Sequence, residues 1–240
     1  MQRYFVKEKK DNQFIFNNSD IHHIKNVMRF KKGDKIEVIF KEKIYLCEIT
    51  NIDLLNINIL DEYYEDTEIP IDLTVAISLV NEQKFDLILQ KLTELGVSKI
   101  IPIKTERSII KLDEKKENKK LERWQMICKE ASEQSHRTKI PIVDKVHKLN
   151  EITSLEYDLK LICSLSEDTK PLKEYLNDNI KSIIFVIGPE GGFTDEEEAK
   201  LINSSFNRTT LGKRVLRVET AAIYVASIIN YVYKGWLEWN

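Results

Sequence analysis

The chain has 240 residues, 42% of them hydrophobic and 32% charged, and 37 Lys+Arg against 39 Asp+Glu give a formal net charge of −2. That size and apolar content suit one large core, or a large and a small one, and the absence of repeats and biased tracts excludes a low-complexity or solenoid protein. No window of about 18 consecutive apolar residues occurs and no apolar secretory segment follows the charged start. Cys47, Cys128 and Cys163 are too few and too scattered for a disulfide framework or a zinc site, so a soluble cytoplasmic protein with packing cysteines is expected.

In chain order, "RYFV" is a first strand. "NSDIHHIKNVMRF" opens at a Ser/Asp cap with Ile21, Ile24, Val27 and Met28 at helical spacing, and "KKGDKIEVIF" turns into a strand. "KIYLCEITNID" and "LNINIL" alternate with period two, so residues 1–69 predict a small β-rich barrel or sandwich with one helix. The acidic "DEYYEDTEIP" breaks the pattern, and Pro70 is the expected domain boundary. After it "IDLTVAISLV" reads as a buried strand. "QKFDLILQKLTELGV" puts Phe85, Ile88, Leu89, Leu92 and Leu95 on one helical stripe that stops at Gly96, and "SKIIPIKT" is a second buried strand. A basic helix (Lys115 to Glu133) follows, then strand "DLKLICSL", a short helix, strand "SIIFVIG", a helix from about Asp195, strand "RTTLG" and a last helix from about Thr220 to Lys234. Alternating buried strands and helices predict a parallel α/β sheet over residues 70–240.

Charge is unevenly spread. Residues 1–46 hold 11 Lys+Arg against 6 Asp+Glu, residues 47–69 hold none against 7, and residues 104–139 hold 11 against 7. A polyanionic partner would find basic faces here, although solvated helix faces give similar counts.

Ligands of open parallel sheets sit beyond the carboxyl ends of the strands, which directs attention to the loops after Leu165, Ile187 and Leu211. "VIGPEGGFTDEEEAK" places Gly188, Gly191 and Gly192 within five residues, ahead of a helix that Thr194 would cap and Asp195 to Glu198 would complement. The loop is neither GxxxxGK[ST] nor GxGxxG, and Glu190 would repel a phosphate, so a neutral or cationic ligand suits it better. "LGKRVLRVETAA" ends a strand with Leu211 and Gly212, then brings Lys213, Arg214, Arg217 and Glu219 to the start of a helix.

"IGPEGGFTDEE", "LGKRVLRVETA", "LQKLTELGV", "TERSII" and "EASEQSHRTKIP", with the N-terminal "RYFV" and "HIKNVMRF", resemble in order the RsmE family, the 16S ribosomal RNA uridine-N3 methyltransferases of the SPOUT class. Met28 departs from the leucine usual in that N-terminal motif, and "SLSEDTK" matches poorly. The resemblance implies an α/β, SPOUT-type knotted parallel-sheet domain (70–240) with a small N-terminal PUA-like β-barrel domain (1–69). It also implies a homodimer, S-adenosyl-L-methionine as cofactor, and 16S rRNA or the small ribosomal subunit as partner, with neither membrane nor metal involved.

Carried onto this sequence, the resemblance places the cofactor against Leu165, Ile187, Gly188, Gly191, Gly192, Leu211, Gly212, Val215 and Leu216, largely through backbone groups. Arg217 would stabilise the uridinate oxygens, with Glu190 or Glu219 as general base or as the group orienting that arginine, and Glu190 near the sulfonium. An ion pair between Arg217 and Glu219 that merely fixes the loop is the alternative. Arg3, His23, Arg29, Arg107 and Arg137 are the expected RNA contacts. His22 and His23 are adjacent on a helix and do not face one metal. Two other functions compete: a non-catalytic RNA-binding module, and a nucleotide-dependent oxidoreductase. The second lacks the acidic residue needed at the end of the strand "TTLG".

Overall fold

The computed structural model describes residues 1–10, 13–108, 110, 114–166 and 168–234. The aromatic tail beyond them, with Trp236 and Trp239, lies outside the described residues. The chain forms two compact units, Met1–Glu68 with Ser132–Lys139, and Ile69–Ala131 with Ile140–Asn240. The eight residues Ser132–Lys139 thus cluster with the N-terminal unit, not with the region whose sequence contains them.

The first unit contains β1 (Arg3–Phe5), β2 (Glu8–Lys10), β3 (Gln13–Ile15), α1 (Asn18–His22), β4 (Lys35–Phe40), β5 (Lys43–Asn51) and β6 (Asn56–Tyr63). A four-stranded sheet runs β1-β4-β5-β6, with β1 parallel to β4 and the other pairs antiparallel; β2 and β3 form a hairpin. Tyr4, Phe14, Phe16, Ile36, Val38 and Ile49 fill its core. The expected helix is shorter than its apolar spacing suggests. Asn17 caps α1 by accepting from the Asp20 N–H at 2.8 Å, but from His23 to Val27 the backbone widens to a π turn. That extra residue per turn rotates the stripe, so Ile24 is buried while Val27 and Met28 are exposed. β6 extends into the acidic stretch because β5 is long enough to pair Ile44 with Tyr63.

The second unit contains β7 (Asp72–Ser78), α2 (Glu82–Glu94), β8 (Lys99–Lys104), most of α3 (Glu114–Gln134), β9 (Ile142–Val143), β10 (His147–Lys148) and α4 (Leu149–Thr153). It continues with β11 (Leu159–Cys163), β12 (Lys170–Pro171), β13 (Ser182–Ile187), α5 (Asp195–Asn203), β14 (Asn207–Thr210) and α6 (Val218–Lys234). One parallel sheet runs β10-β8-β7-β13-β11-β14-β12, and β9 pairs with β8. Alternation sorts the strand residues onto two buried faces: Leu73, Val75, Ile77, Ile183, Phe185 and Ile187 with α2 and α6, and Ala76, Ile184 and Val186 with α4 and α5. Each of these Val, Leu, Ile and Phe side chains contributes about 1.5–3 kcal/mol by leaving water. Because the pairs are parallel, β11, β13 and β14 deliver their following loops to one edge of the sheet.

Candidate active site

The loops after β13, β11 and β14, which lie in the strand order β13-β11-β14, enclose a cleft of about 570 Å³ in the second unit. All nine residues expected to hold a cofactor line it: Leu165, Ile187, Gly188, Gly191, Gly192, Leu211, Gly212, Val215 and Leu216. Leu165 and Val215 are 73% and 78% exposed, apolar side chains with little of the protein over them, whereas Ile187 and Ala221 are buried. Cys163 also lines the cleft; burial pushes its thiol up to about 11, so it remains a neutral wall.

Local chemistry explains the loop shapes. A Cβ on Gly188 would stand 3.2 Å from the Phe193 ring, tighter than ordinary contact, so the glycine gives the ring room to fold back beneath the loop. Gly212 has φ +111°, a left-handed backbone that carries the chain away from β14, and its N–H donates to Thr210 Oγ1 at 3.2 Å. After the glycines, Thr194 and Glu197 close a reciprocal cap on α5: Thr194 Oγ1 accepts from the Glu197 N–H at 3.2 Å, and Glu197 Oε2 accepts from the Thr194 N–H at 3.0 Å. Glu197 Oε1 accepts from the Glu106 N–H at 2.8 Å, and Arg107 Nη1 donates to the carbonyls of Gly191 and Phe193 at 2.9 and 3.1 Å. The chain after β8 thereby holds the glycine loop in place.

The charged groups are arranged less predictably. Glu190 lines the cleft, and its Oε1 accepts from Lys84 Nζ at 2.9 Å. Lys84 sits in the first turn of α2, where its N–H donates to the capping Asn81 Oδ1 at 3.0 Å. Its ammonium holds the Glu190 carboxyl below the usual carboxylate range, and Glu190 raises Lys84 in turn. An ionised carboxylate of that kind is a weak proton acceptor and a good complement to positive charge. Glu219 Oε2 is buried with no hydrogen bond among the described residues and lies 4.0 Å from the same lysine. Arg217 is exposed, lines the cleft, and makes no ion pair or side-chain hydrogen bond among the described residues. The alternative in which Arg217 pairs with Glu219 is therefore not what forms; Lys84, which the sequence reading passed over, occupies that place.

The cleft suits S-adenosylmethionine. Its volume lies in the range of small-molecule sites, its walls mix apolar side chains with peptide groups, and its carboxylates, Glu190 and Glu198 among them, complement the charge that a sulfonium carries. Residues 67–230 match the description of an RNA methyltransferase domain, and residues 16–60 that of an RNA methyltransferase PUA domain. The Bacillus subtilis ribosomal RNA small subunit methyltransferase E is 35% identical over 96% of each chain. This chain belongs to the ribosomal RNA small subunit methyltransferase E family. The Neisseria gonorrhoeae member, solved bound to S-adenosyl methionine, superposes with TM-score 0.88 at 31% identity, covering 97% of this chain and 98% of that one. A methyltransferase from Legionella pneumophila, solved with the cofactor, gives TM-score 0.88 at 27% identity, covering 96% and 97%. The expected parallel α/β fold with a PUA-like N-terminal portion holds for this family member.

The five expected RNA contacts differ in exposure. Arg3 and Arg137 are only 1% and 4% exposed, which corrects the expectation that they contact RNA. Arg3 Nε donates to Glu37 Oε2 at 2.8 Å and Nη2 to Glu65 Oε2 at 3.2 Å, while Arg137 pairs with Glu68. Each guanidinium is consumed inside the first unit, where a buried charge needs a partner. His23 is half-buried, with Nδ1 2.9 Å from the Tyr4 hydroxyl. Arg29 and Arg107 are exposed. Among the described residues no group of three or more His, Cys, Asp or Glu side chains could hold a metal ion, and no helix is long and apolar enough to cross a membrane.

Proposed function

We propose that the chain is an S-adenosylmethionine-dependent methyltransferase acting at N3 of a uridine in 16S rRNA. The observation that carries this is the cleft in which three loops gather every expected cofactor contact beside Glu190, clamped by Lys84, and Arg217, whose guanidinium is unpaired among the described residues. Backbone groups of Leu211 to Leu216 and of the glycine loop would hold the adenosine, with Leu165 and Val215 closing over it. S-adenosylmethionine, when bound there, supplies the methyl group and leaves as the neutral thioether. Glu190 complements the sulfonium charge instead of taking a proton. Arg217 stabilises the negative O2 or O4 of the uridine as its N3 proton passes to solvent water, which is the demanding step because a protonated N3 has no free lone pair. Positioning of the two reactants in line then supplies much of the rate.

Of the five expected contacts Arg29 is exposed, and Arg107 is exposed although its Nη1 is committed to the glycine loop; their remaining donors would make phosphate contacts, which orient the RNA without reading its sequence. We further infer a homodimer formed through the exposed α6 face that carries Tyr224, Tyr231 and Val232, and a deep threading of the C-terminal strands of the SPOUT kind. The target base must leave its stack to reach the cleft, which favours an unpaired uridine. The decisive experiment incubates the protein with methyl-labelled cofactor and small-subunit RNA from a strain lacking the activity. Label is expected in N3-methyluridine. Label in a ribose 2′-O-methyl product would keep the fold and reject the substrate, and failure to bind the cofactor in calorimetry would leave a non-catalytic RNA-binding module.

A further inference from the structure

Lys84 is a charged group of the cleft region that no sequence motif pointed to, and its surroundings are unusual. It stands in the first turn of α2, where the positive end of the helix dipole disfavours a cation, so other groups must hold it there. Two carboxylates do so. They come from two separate segments: Glu190 from the loop after β13, at 2.9 Å, and Glu219 from the start of α6, at 4.0 Å. For Glu219 the lysine is decisive, because its Oε2 is buried without a hydrogen bond and Lys84 is its one cation within 4.0 Å among the described residues. Arg217 precedes Glu219 by two residues and is close enough for its charge to act on Lys84, yet it pairs with neither carboxylate. An arginine beside two carboxylates ordinarily takes one of them bidentately.

We propose that Lys84 is a positioning residue that claims Glu190 and Glu219 and thereby keeps the Arg217 guanidinium unpaired for the substrate's developing negative charge. The proposal rests on the reading of Arg217 as the group facing the uridine. Without Lys84 the two carboxylates lose their common cation, and Arg217, two residues before Glu219 and lining the same cleft as Glu190, becomes free to take one of them. An arginine already bound to a carboxylate has little left to offer a uridinate. The lysine therefore acts on turnover through Arg217, and a second substitution that removes the competing carboxylate should undo its loss.

The test uses the full chain with small-subunit RNA. Lys84→Met is expected to lower kcat about 10- to 100-fold, the worth of one charge-assisted contact in the transition state, with the KM for the cofactor nearly unchanged. Its pH–rate profile should move to higher pH, because the uridinate is less stabilised. Lys84→Arg should retain most turnover. The distinguishing variant is the double substitution Lys84→Met with Glu219→Gln: part of the turnover should return and the pH profile move back. A lysine that served only to stabilise α2 would show no such rescue. Calorimetric cofactor affinity and the melting temperature, measured on each variant, show whether the fold and the cleft survive. Full turnover in Lys84→Met, or a double variant no better than the single, overturns the proposal. If Arg217→Ala itself keeps full turnover, it is the reading of Arg217 that fails.

Discussion

Replacing Arg3 by methionine tests whether this arginine is a structural charge or an RNA contact. Its side chain is 1% exposed, and its Glu37 partner is 10% exposed, so the Nε–Oε2 pair at 2.8 Å is screened by little water. The second partner, Glu65, is 51% exposed and contributes little, while the carbonyl of His136 accepts from Nη1 and would lose its donor. Methionine fills much of the volume but leaves Glu37 as a buried, half-satisfied carboxylate. Removing one partner of such a pair costs about 3–5 kcal/mol. For a unit of this size that corresponds to a fall of about 12–40 °C in its melting temperature. The sign with pH follows from Glu37. Burial pushes its carboxyl up, but the bonds from Arg3 and Tyr63 outweigh this and the net shift is downward. A carboxyl lowered in the folded state contributes stability above its ordinary range and loses it as the pH falls through the lowered value, so the gap between parent and variant is widest at neutral pH and narrows below about pH 4. Calorimetry of the full chain and hydrogen exchange of the β4 amides at pH 7 and pH 4 measure it. A variant that melts and exchanges like the parent yet has lost RNA affinity would refute the reasoning and return Arg3 to the RNA surface.

Arg217→Ala should lower kcat by about 10²–10³-fold, as for the loss of one preorganised donor to a developing oxyanion, while calorimetric cofactor affinity stays within about threefold. An unchanged kcat would remove Arg217 from the chemistry. Gly212→Ala forces a Cβ into a backbone at φ +111°, a strain of about 1–3 kcal/mol, and the loop is expected to relax at the expense of cofactor affinity by about 10-fold. Equal affinity in the variant would show that this turn is not what the cofactor reads.

The long elements of the fold are legible in the sequence because they repeat. The stripe Phe85, Ile88, Leu89 and Leu92 is wholly buried in α2, and the apolar runs of β7, β8, β11 and β13 form the centre of the sheet. The pieces that the sequence hides are too short to show a period: β9, β10 and β12 have two residues each, and α4 has five. The π turn after α1 keeps helical apolar spacing in the sequence while moving Val27 and Met28 to the surface. At the cleft, the glycine loops are readable because special backbone needs special residues. The partners of long polar side chains are not, since they come from far along the chain. Arg3 meets Glu37 across 34 residues, and Lys84 meets Glu190 across 106. A signal for Lys84 did exist: a lysine placed against the dipole in the first turn of a well-capped helix needs a reason.

The methyl donor is positive at sulfur, the activated uridine is negative, and the two must come within bonding distance. A cleft that simply offered a free carboxylate and a free arginine would pair them with each other before any ligand arrived. Here the groups proposed for the two roles sit on separate supports: Glu190 is tied to Lys84 on α2, and Arg217 stands at the entry to α6 with its guanidinium uncommitted among the described residues. On the proposed reading, recognition of the rest of the cofactor falls to backbone groups, which carry no charge and tolerate changes of side chain. It follows that substitutions of the apolar rim, such as Val215→Ala, perturb this enzyme far less than a single change of sign among Lys84, Glu190, Arg217 and Glu219.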